Sequence, residues 1–457
     1  MKMKPMSRAD TEKDIILINP QSLDGMNYTN IGLASIESFL NQNRIDCTVI
    51  HRTEIDDNID RSNVFGISVM DHTYLSAKGL TQRLQNKTII WGGWTPTAIP
   101  EFVLEDNPGV DYVILQEGEK RLLNLLRSFK QAELFDQIDG IAYRDGKNKI
   151  VTKPAVEYMN MEDLTTPTDM TILDELVFFE LSRGCYGKCR YCQEEHKMRF
   201  KSVTKSVDEI KSWYDRGYRN FYLGNANTIA RGQLLQELVR ELEKKALKIR
   251  LSLVGRPDGV LKQYNILKEY FESKIIYVEL VEVGIEANTQ HALDLLGRET
   301  TPEMNRKAIA ALIDLKKKYS PGTLVHANII LFSHFDMSID DFVENVRFIG
   351  DYQCSRNCLV SRLEGMANTP IWHDMKERGF KPDRNMGLRI SEYHFTDKEI
   401  DRLYRKLTRA VIDNLNCKKV NFFNRLFLVH LIHDKVLDFY NSQDIKNAVL
   451  DYIHSSA

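Results

Sequence analysis

From Asp14 the chain reads Ile15-Ile16-Leu17-Ile18-Asn19-Pro20, an unbroken apolar run, then a polar loop to Thr29, then Ile31, Leu33, Ile36, Phe39 and Leu40 at helical spacing. This change of period repeats. CTVI at 47–50, VFGISVM at 64–70, TIIWGG at 88–93 and VDYVIL at 110–115 are apolar runs, and the last three precede helical patterns over 74–84, around 99–105 and from Glu119. Apolar strands that alternate with amphipathic helices predict a parallel sheet covered on both faces. Gly66, Gly92 and Gly93 fall in or at the ends of these strands, where such sheets admit a ligand close to the backbone.

GIAYRDGKNKI at 140–150 reads as a hairpin, and the proline-bearing stretch after Pro154 as a connector. A second strand and helix rhythm then begins at Leu176. Strands are expected at 221–227, 249–259, 277–287, 324–332 and 359–365, with helices over 204–214, 232–245 and 305–318 and from about Ser338. Six or so repeats predict a partial TIM-like (β/α)6 barrel with its chemistry at the C-terminal strand ends. From Ser391 the pattern is helical. The expected division is 1–140, a hairpin and linker over 141–172, a barrel over 173–382 and a helical C-terminal region over 383–457.

Composition narrows the partners. Lys plus Arg number 62 against 64 Asp plus Glu, so no global positive field points to DNA or RNA. No run approaches the roughly 20 apolar residues that span a bilayer, and the polar start to Asp14 lacks the core of a signal peptide, which makes the cytoplasm the expected location. Seven cysteines, an odd number with three inside eight residues, suggest metal ligation and not a disulfide framework.

Those three are Cys185, Cys189 and Cys192, in Cys-Tyr-Gly-Lys-Cys-Arg-Tyr-Cys after an apolar strand. Thiolates at this spacing suit an iron-sulfur or zinc site. Three can hold three irons of a [4Fe-4S] cube and leave the fourth open for a chelating substrate, whereas a zinc knuckle would need a fourth ligand such as His196. Cys354 and Cys358 read as space-filling thiols or as ligands of a second cluster with Cys417.

The Cys-x3-Cys-x2-Cys string closely resembles the signature of the radical S-adenosylmethionine (SAM) superfamily. Asn19-Pro20 before a Gly-Leu-Ala helix, Gly-Gly-Trp-Thr-Pro at 92–96 and Leu115-Gln116-Glu117-Gly118-Glu119 resemble the cobalamin-binding-type domain that precedes the catalytic domain in one class of that superfamily. No Asp-x-His-x-x-Gly string supplies an axial histidine. The resemblance implies an α/β chain with an N-terminal Rossmann-like cobalamin-binding-type parallel sheet, a central partial radical SAM barrel and a helical C-terminal region. It also implies three cofactors: a [4Fe-4S] cluster, SAM and cobalamin.

Site residues follow from the same resemblance. Tyr191 corresponds to the aromatic contact to adenine. Asn225, Asn227, Arg256, Glu282, Glu286, Arg298 and Asn328 stand where the family places polar contacts to SAM, with surface pairing or a satisfied core group as the alternative at several of them. Corrinoid contact is expected from Asn19, Ser68, Gly92, Gly93, Trp94 and Thr95, the last four as a loop unless they form a tight strand-to-helix turn with Trp94 closing the core. The expected reaction is attack of a 5'-deoxyadenosyl radical on an unactivated C–H bond, most simply for cobalamin-dependent C-methylation. The alternative is a cobalamin-free peptide epimerase with Cys358 or Cys354 as hydrogen donor. Either reaction requires a small-molecule or peptide substrate and a reducing partner such as flavodoxin or ferredoxin.

Overall fold

The first strand, β1 (Ile15–Asn19), is buried along its whole length. That burial is why it reads as a continuous apolar run and not an alternating one. β2 (Cys47–His51), β3 (Val64–Ser68), β4 (Thr88–Gly92) and β5 (Tyr112–Ile114) join it in a parallel arrangement. The computed structural model describes residues 12–21, 30–164, 172–173, 175–224, 227–353, 362–416 and 433–455.

The predicted hairpin forms and does more than link. β6 (Ile141–Arg144) pairs antiparallel with β5, and β7 (Ile150–Lys153) antiparallel with β6, so the seven strands run in the order β2-β1-β3-β4-β5-β6-β7. The sheet is therefore mixed. Its return is fastened by Arg121, whose guanidinium meets both carboxylate oxygens of Asp139 at 2.8 and 3.1 Å, a forked geometry that lysine cannot copy.

By contact density the chain divides into two units: Met1–Asp174 with Pro382–Arg389, and Glu175–Lys381 with Ile390–Ala457. The eight-residue return to the first unit is held there by two ion pairs, Arg384 to Asp106 and Arg389 to Asp71, each at 2.8 Å.

In the second unit, β8 (Leu176–Phe178), β9 (Asn220–Tyr222), β10 (Ile249–Gly255), β11 (Ile276–Glu286) and β12 (Leu324–Ile329) are parallel neighbours in chain order. One face is covered by helices, through Val281, Val283 and Ile285, all fully buried. The helices over Gly232–Lys244 and Pro302–Tyr319 pack their apolar stripes there, and Thr301 caps the second by accepting from the Met304 N–H. The sheet does not close on itself, as expected of a partial barrel. The expected strand at 359–365 begins outside the described residues, and Arg362 makes a single parallel bridge to Phe332. Helices over Lys398–Asn416 and Ile445–His454 form the C-terminal region.

Candidate active site

The cysteine loop is closed at its neck by a two-residue antiparallel pair, Ser182 with Phe200 and Arg183 with Arg199. Inside, the Cys185 N–H donates to the Glu195 carbonyl at 2.7 Å, and the Cys192 N–H to the Cys189 carbonyl at 3.2 Å. Backbone amides reach two of the sulfurs: Gly187 N–H to Cys185 Sγ at 3.4 Å and Glu194 N–H to Cys192 Sγ at 3.3 Å. Cys189 Sγ instead meets two arginines, Arg256 Nη1 and Arg298 Nη1, each at 3.5 Å.

A strand end delivers the first of these arginines, and the turn after the helix Gln290–Leu295 delivers the second. Arg256 follows β10 and is 4 % exposed, with Nε on Asp258 at 3.1 Å; Asp258 in turn accepts from the Tyr186 hydroxyl at 2.6 Å. Burial and that hydrogen bond push the Tyr186 phenol up to about 12. Arg298, 7 % exposed, donates through Nη2 to the Gly284 carbonyl. Glu286 closes the group by hydrogen bonding the Tyr191 side chain, and burial holds its carboxyl above the ordinary range against the pull of Arg298 and Tyr191.

Glu286 lies on the same side of the strand as Gly284, where a Cβ on Gly284 would stand 2.7 Å from its Oε1. The register with β12 slips between Gly284 and Glu286, and Glu286 adopts φ +67°, a left-handed conformation that costs a non-glycine residue about 1 kcal/mol or more. Glu282 keeps its place on the face opposite the helices. It accepts from the Tyr222 hydroxyl at 2.8 Å and from Asn328 Nδ2 at 2.6 Å, with His326 as its register partner.

Asn227 is fully buried, and its Nδ2 approaches Cys185 Sγ at 3.9 Å. Asn225, Cys354, Cys358 and Cys417 lie outside the described residues. Three buried polar atoms around the sulfurs have no protein partner: Arg256 Nη2, Arg298 Nε and Asn227 Oδ1. Unpaired buried donors are costly, so two spare guanidinium N–H groups beside three thiols fit an anionic group bound there. Cys185, Cys189 and Cys192 are the residues that would hold a [4Fe-4S] cluster. Among the described residues, no three His, Cys, Asp or Glu side chains are grouped so as to hold a single metal ion.

In the first unit the corrinoid candidates gather at the C-terminal ends of β1, β3 and β4. Asn30 Nδ2 donates to both Asn19 Oδ1 (3.3 Å) and Ser68 Oγ (3.0 Å), while its own oxygen caps the following helix, Ile31–Gln42, at Leu33 N–H. Gly93 has φ +109°, and a Cβ there would stand 2.6 Å from the Val69 carbonyl oxygen. The expected loop over 92–95 is a correction: Trp94 and Thr95 begin a helical turn, Trp94–Ala98. Trp94 is 39 % exposed and closes no core; that role belongs to Trp91, fully buried, with its indole N–H on Thr81 Oγ1 at 3.0 Å. Gln116, just after β5, has a buried side-chain oxygen without a protein partner, which fits a polar ligand over these strand ends.

A family model of the radical SAM superfamily matches residues 179–344, and one of the B12 binding domain matches residues 24–126. The chain is a radical SAM enzyme with an N-terminal B12-binding domain. Solved structures support the architecture of this B12-binding radical SAM chain. The cobalamin-dependent radical enzyme OxsB, with aqua-cobalamin and SAM bound, superposes at a TM-score of 0.74 with 19 % identity, covering 96 % of this chain and 74 % of that one. The radical SAM methyltransferase TsrM from Kitasatospora setae gives 0.63 with 14 % identity over 80 % and 74 % of the two chains. Among curated proteins, 4'-phospho-dehydrooxetanocin synthase of Priestia megaterium is 24 % identical over 56 % of this chain and 37 % of its own length. The anaerobic magnesium-protoporphyrin IX monomethyl ester cyclase of Rubrivivax gelatinosus is 28 % identical over 49 % and 43 %. The chain spans less than half the length of these two curated relatives.

Sequence reasoning passed over Tyr186, Asp258 and Asn30. Asp258 sits two residues after Arg256 at the start of a helix, Pro257–Lys262, and that adjacency to a strand-end arginine was the available signal. No helix of the described residues is long and apolar enough to cross a membrane.

Proposed function

We propose that the chain is a cobalamin-dependent radical SAM enzyme that modifies an unactivated C–H bond, with transfer of a methyl group to carbon as the specific outcome. The single observation that carries the radical chemistry is the convergence of Cys185, Cys189 and Cys192 with two buried, partly unpaired arginines. When bound, the cluster supplies the electron that cleaves SAM to methionine and a 5'-deoxyadenosyl radical. Cobalamin, when bound, supplies the methyl group.

The protein's own residues do the positioning. Arg256 and Arg298 offer N–H groups to negative charge, and Tyr191, held by Glu286, presents a ring beside the last cysteine. Glu282 and Asn328 form a prearranged polar pair on the sheet face opposite the helices, where SAM or substrate contact is proposed. Asn19, Ser68, Gly92, Gly93, Trp94 and Thr95, with Asn30 and Gln116, form the proposed corrinoid surface. Prearrangement matters because misplacing the reacting carbon by an angstrom costs orders of magnitude in rate.

A second reading is cobalamin-assisted ring rearrangement or cyclisation without net methyl transfer. It is favoured by the synthase and cyclase activities named for the curated relatives. The cobalamin-free epimerase alternative rests on Cys354 and Cys358, outside the described residues, and the B12-binding match supports the cobalamin-containing readings over it. Product mass separates the three. Methylation adds about 14 Da, epimerisation in heavy water about 1 Da, and rearrangement adds neither. A turnover mixture that yields 5'-deoxyadenosine but no methylated product overturns the methyl-transfer reading and leaves the radical one standing.

A further inference from the structure

The three cluster cysteines are not equivalent. Cys185 and Cys192 receive neutral backbone N–H groups, and Cys185 also the distant Asn227 amide. Cys189 receives two guanidinium N–H groups from arginines 42 residues apart in sequence, one just after β10 and the other after the helix Gln290–Leu295. Each arginine is fixed independently of the sulfur. Arg256 is held by Asp258 and lies over the Tyr186 ring at 5.2 Å, and Arg298 is held by the Gly284 carbonyl. Gly187 makes the first approach possible, because a Cβ there would stand 2.3 Å from Arg256 Nη1.

Two guanidiniums buried side by side repel one another, and each is costly to bury. Asp258 offsets one of them directly. Glu286 stands beside the other, and the Cys189 sulfur is the one acceptor that both arginines share.

Resting on the reading that the cysteines hold a [4Fe-4S] cluster, we infer that Arg256 and Arg298 act as a paired positive clamp on the Cys189 thiolate that raises the cluster's reduction potential. The physical reason is charge. One-electron reduction of the cluster adds a negative charge, the electron coming from an external one-electron donor. N–H groups from cations on a ligand sulfur stabilise the reduced form more than the oxidised one, and cluster potentials follow net charge, hydrogen bonds to sulfur and solvent access. The arginines are positioning residues in this role and exchange no proton or electron.

The test is an EPR-monitored redox titration, with dithionite as reductant, of reconstituted full-length protein without SAM, alongside iron analysis. Arg256→Gln and Arg298→Gln should each lower the midpoint so that the reduced-to-oxidised ratio at a fixed potential falls about tenfold, ~59 mV for one electron. Arg256→Lys and Arg298→Lys, which keep the charge without the fork, should fall between. Gly187→Ala should match Arg256→Gln, since it displaces the guanidinium without removing it. Four irons per chain with unchanged midpoints in both Gln variants would overturn the clamp alone. Loss of iron in all of the Gln and Lys variants would overturn it as well, because the pair would then be needed to assemble the cluster and would not be tuning it. A wild type that holds no cluster overturns the reading beneath it and the clamp together.

Discussion

The Tyr222 hydroxyl donates to Glu282 at 2.8 Å although β9 and β11, which carry them, are separated by the whole of β10. The contact crosses the sheet on the face away from the helices. Asn328 on β12 completes it from the other side, so one carboxylate ties three strands together. Burial and the neighbouring Glu282 push the Tyr222 phenol above its usual range, which keeps the hydroxyl protonated as the donor. Tyr222→Phe should leave one Glu282 oxygen without its partner and cost about 1–3 kcal/mol, measured by denaturant unfolding. If Glu282 and Asn328 contact SAM as proposed, Glu282→Gln and Asn328→Ala should also weaken equilibrium SAM binding. Unchanged SAM affinity in both would assign the pair to stability alone.

Replacing Cys185, Cys189 and Cys192 together with Ala is expected to reduce iron from four per chain to less than one and to abolish SAM cleavage. Iron analysis and detection of 5'-deoxyadenosine check the two outcomes separately. Four irons retained in the triple variant would place the cluster on other cysteines.

Gly93→Ala forces a side chain into a backbone carbonyl and into a left-handed conformation, at a cost of about 1–3 kcal/mol. The turn it anchors borders the proposed corrinoid surface. Optical titration with hydroxocobalamin should show saturable binding to the wild type and at least tenfold weaker binding to this variant. Wild-type protein that gives no saturable change would remove the corrinoid from this site.

His334 is 2 % exposed, and its Nδ1 accepts the Asp336 N–H at 3.0 Å. Burial lowers its pKa to about 4. Between about pH 6.5 and pH 4 the unfolded chain binds a proton that the folded chain refuses, so stability falls as pH falls through that window. The stabilisation lost by pH 4 is on the order of 3 kcal/mol. Chemical unfolding from pH 7 to pH 4 should show this slope in the wild type and a shallower one in His334→Asn. Equal slopes would exclude His334 as the source.

The fold was legible wherever burial on both faces turned a strand into an apolar run, as in β1, and wherever a helix kept a stripe, as over Gly232–Lys244. The cysteine triad was legible because its chemistry is local. The site around it was less so. Arg298 and Glu286 could be named from the β11 segment, but not that Arg298 turns to a cysteine sulfur, since a salt partner 109 residues away leaves no local pattern. Alternation places Glu286 on the side of Gly284 and Glu282, but its left-handed φ and the register slip beside it leave no local pattern, because the neighbouring strand sets them. Trp94 left both readings open in sequence, because a glycine pair and a tryptophan look alike whether the ring faces inward or out; its exposure removes the one in which it closes the core.

Pro382–Arg389 belongs to a unit whose other residues end at Asp174. On the ribosome, roughly 200 residues separate the two pieces, which at about 5–20 residues per second is some 10–40 s of synthesis. Until then Asp71 and Asp106 await their arginines. The N-terminal unit thus acquires its last two ion pairs only after most of the radical SAM unit has been made, so a polypeptide cut short before residue 382 carries this unit without them.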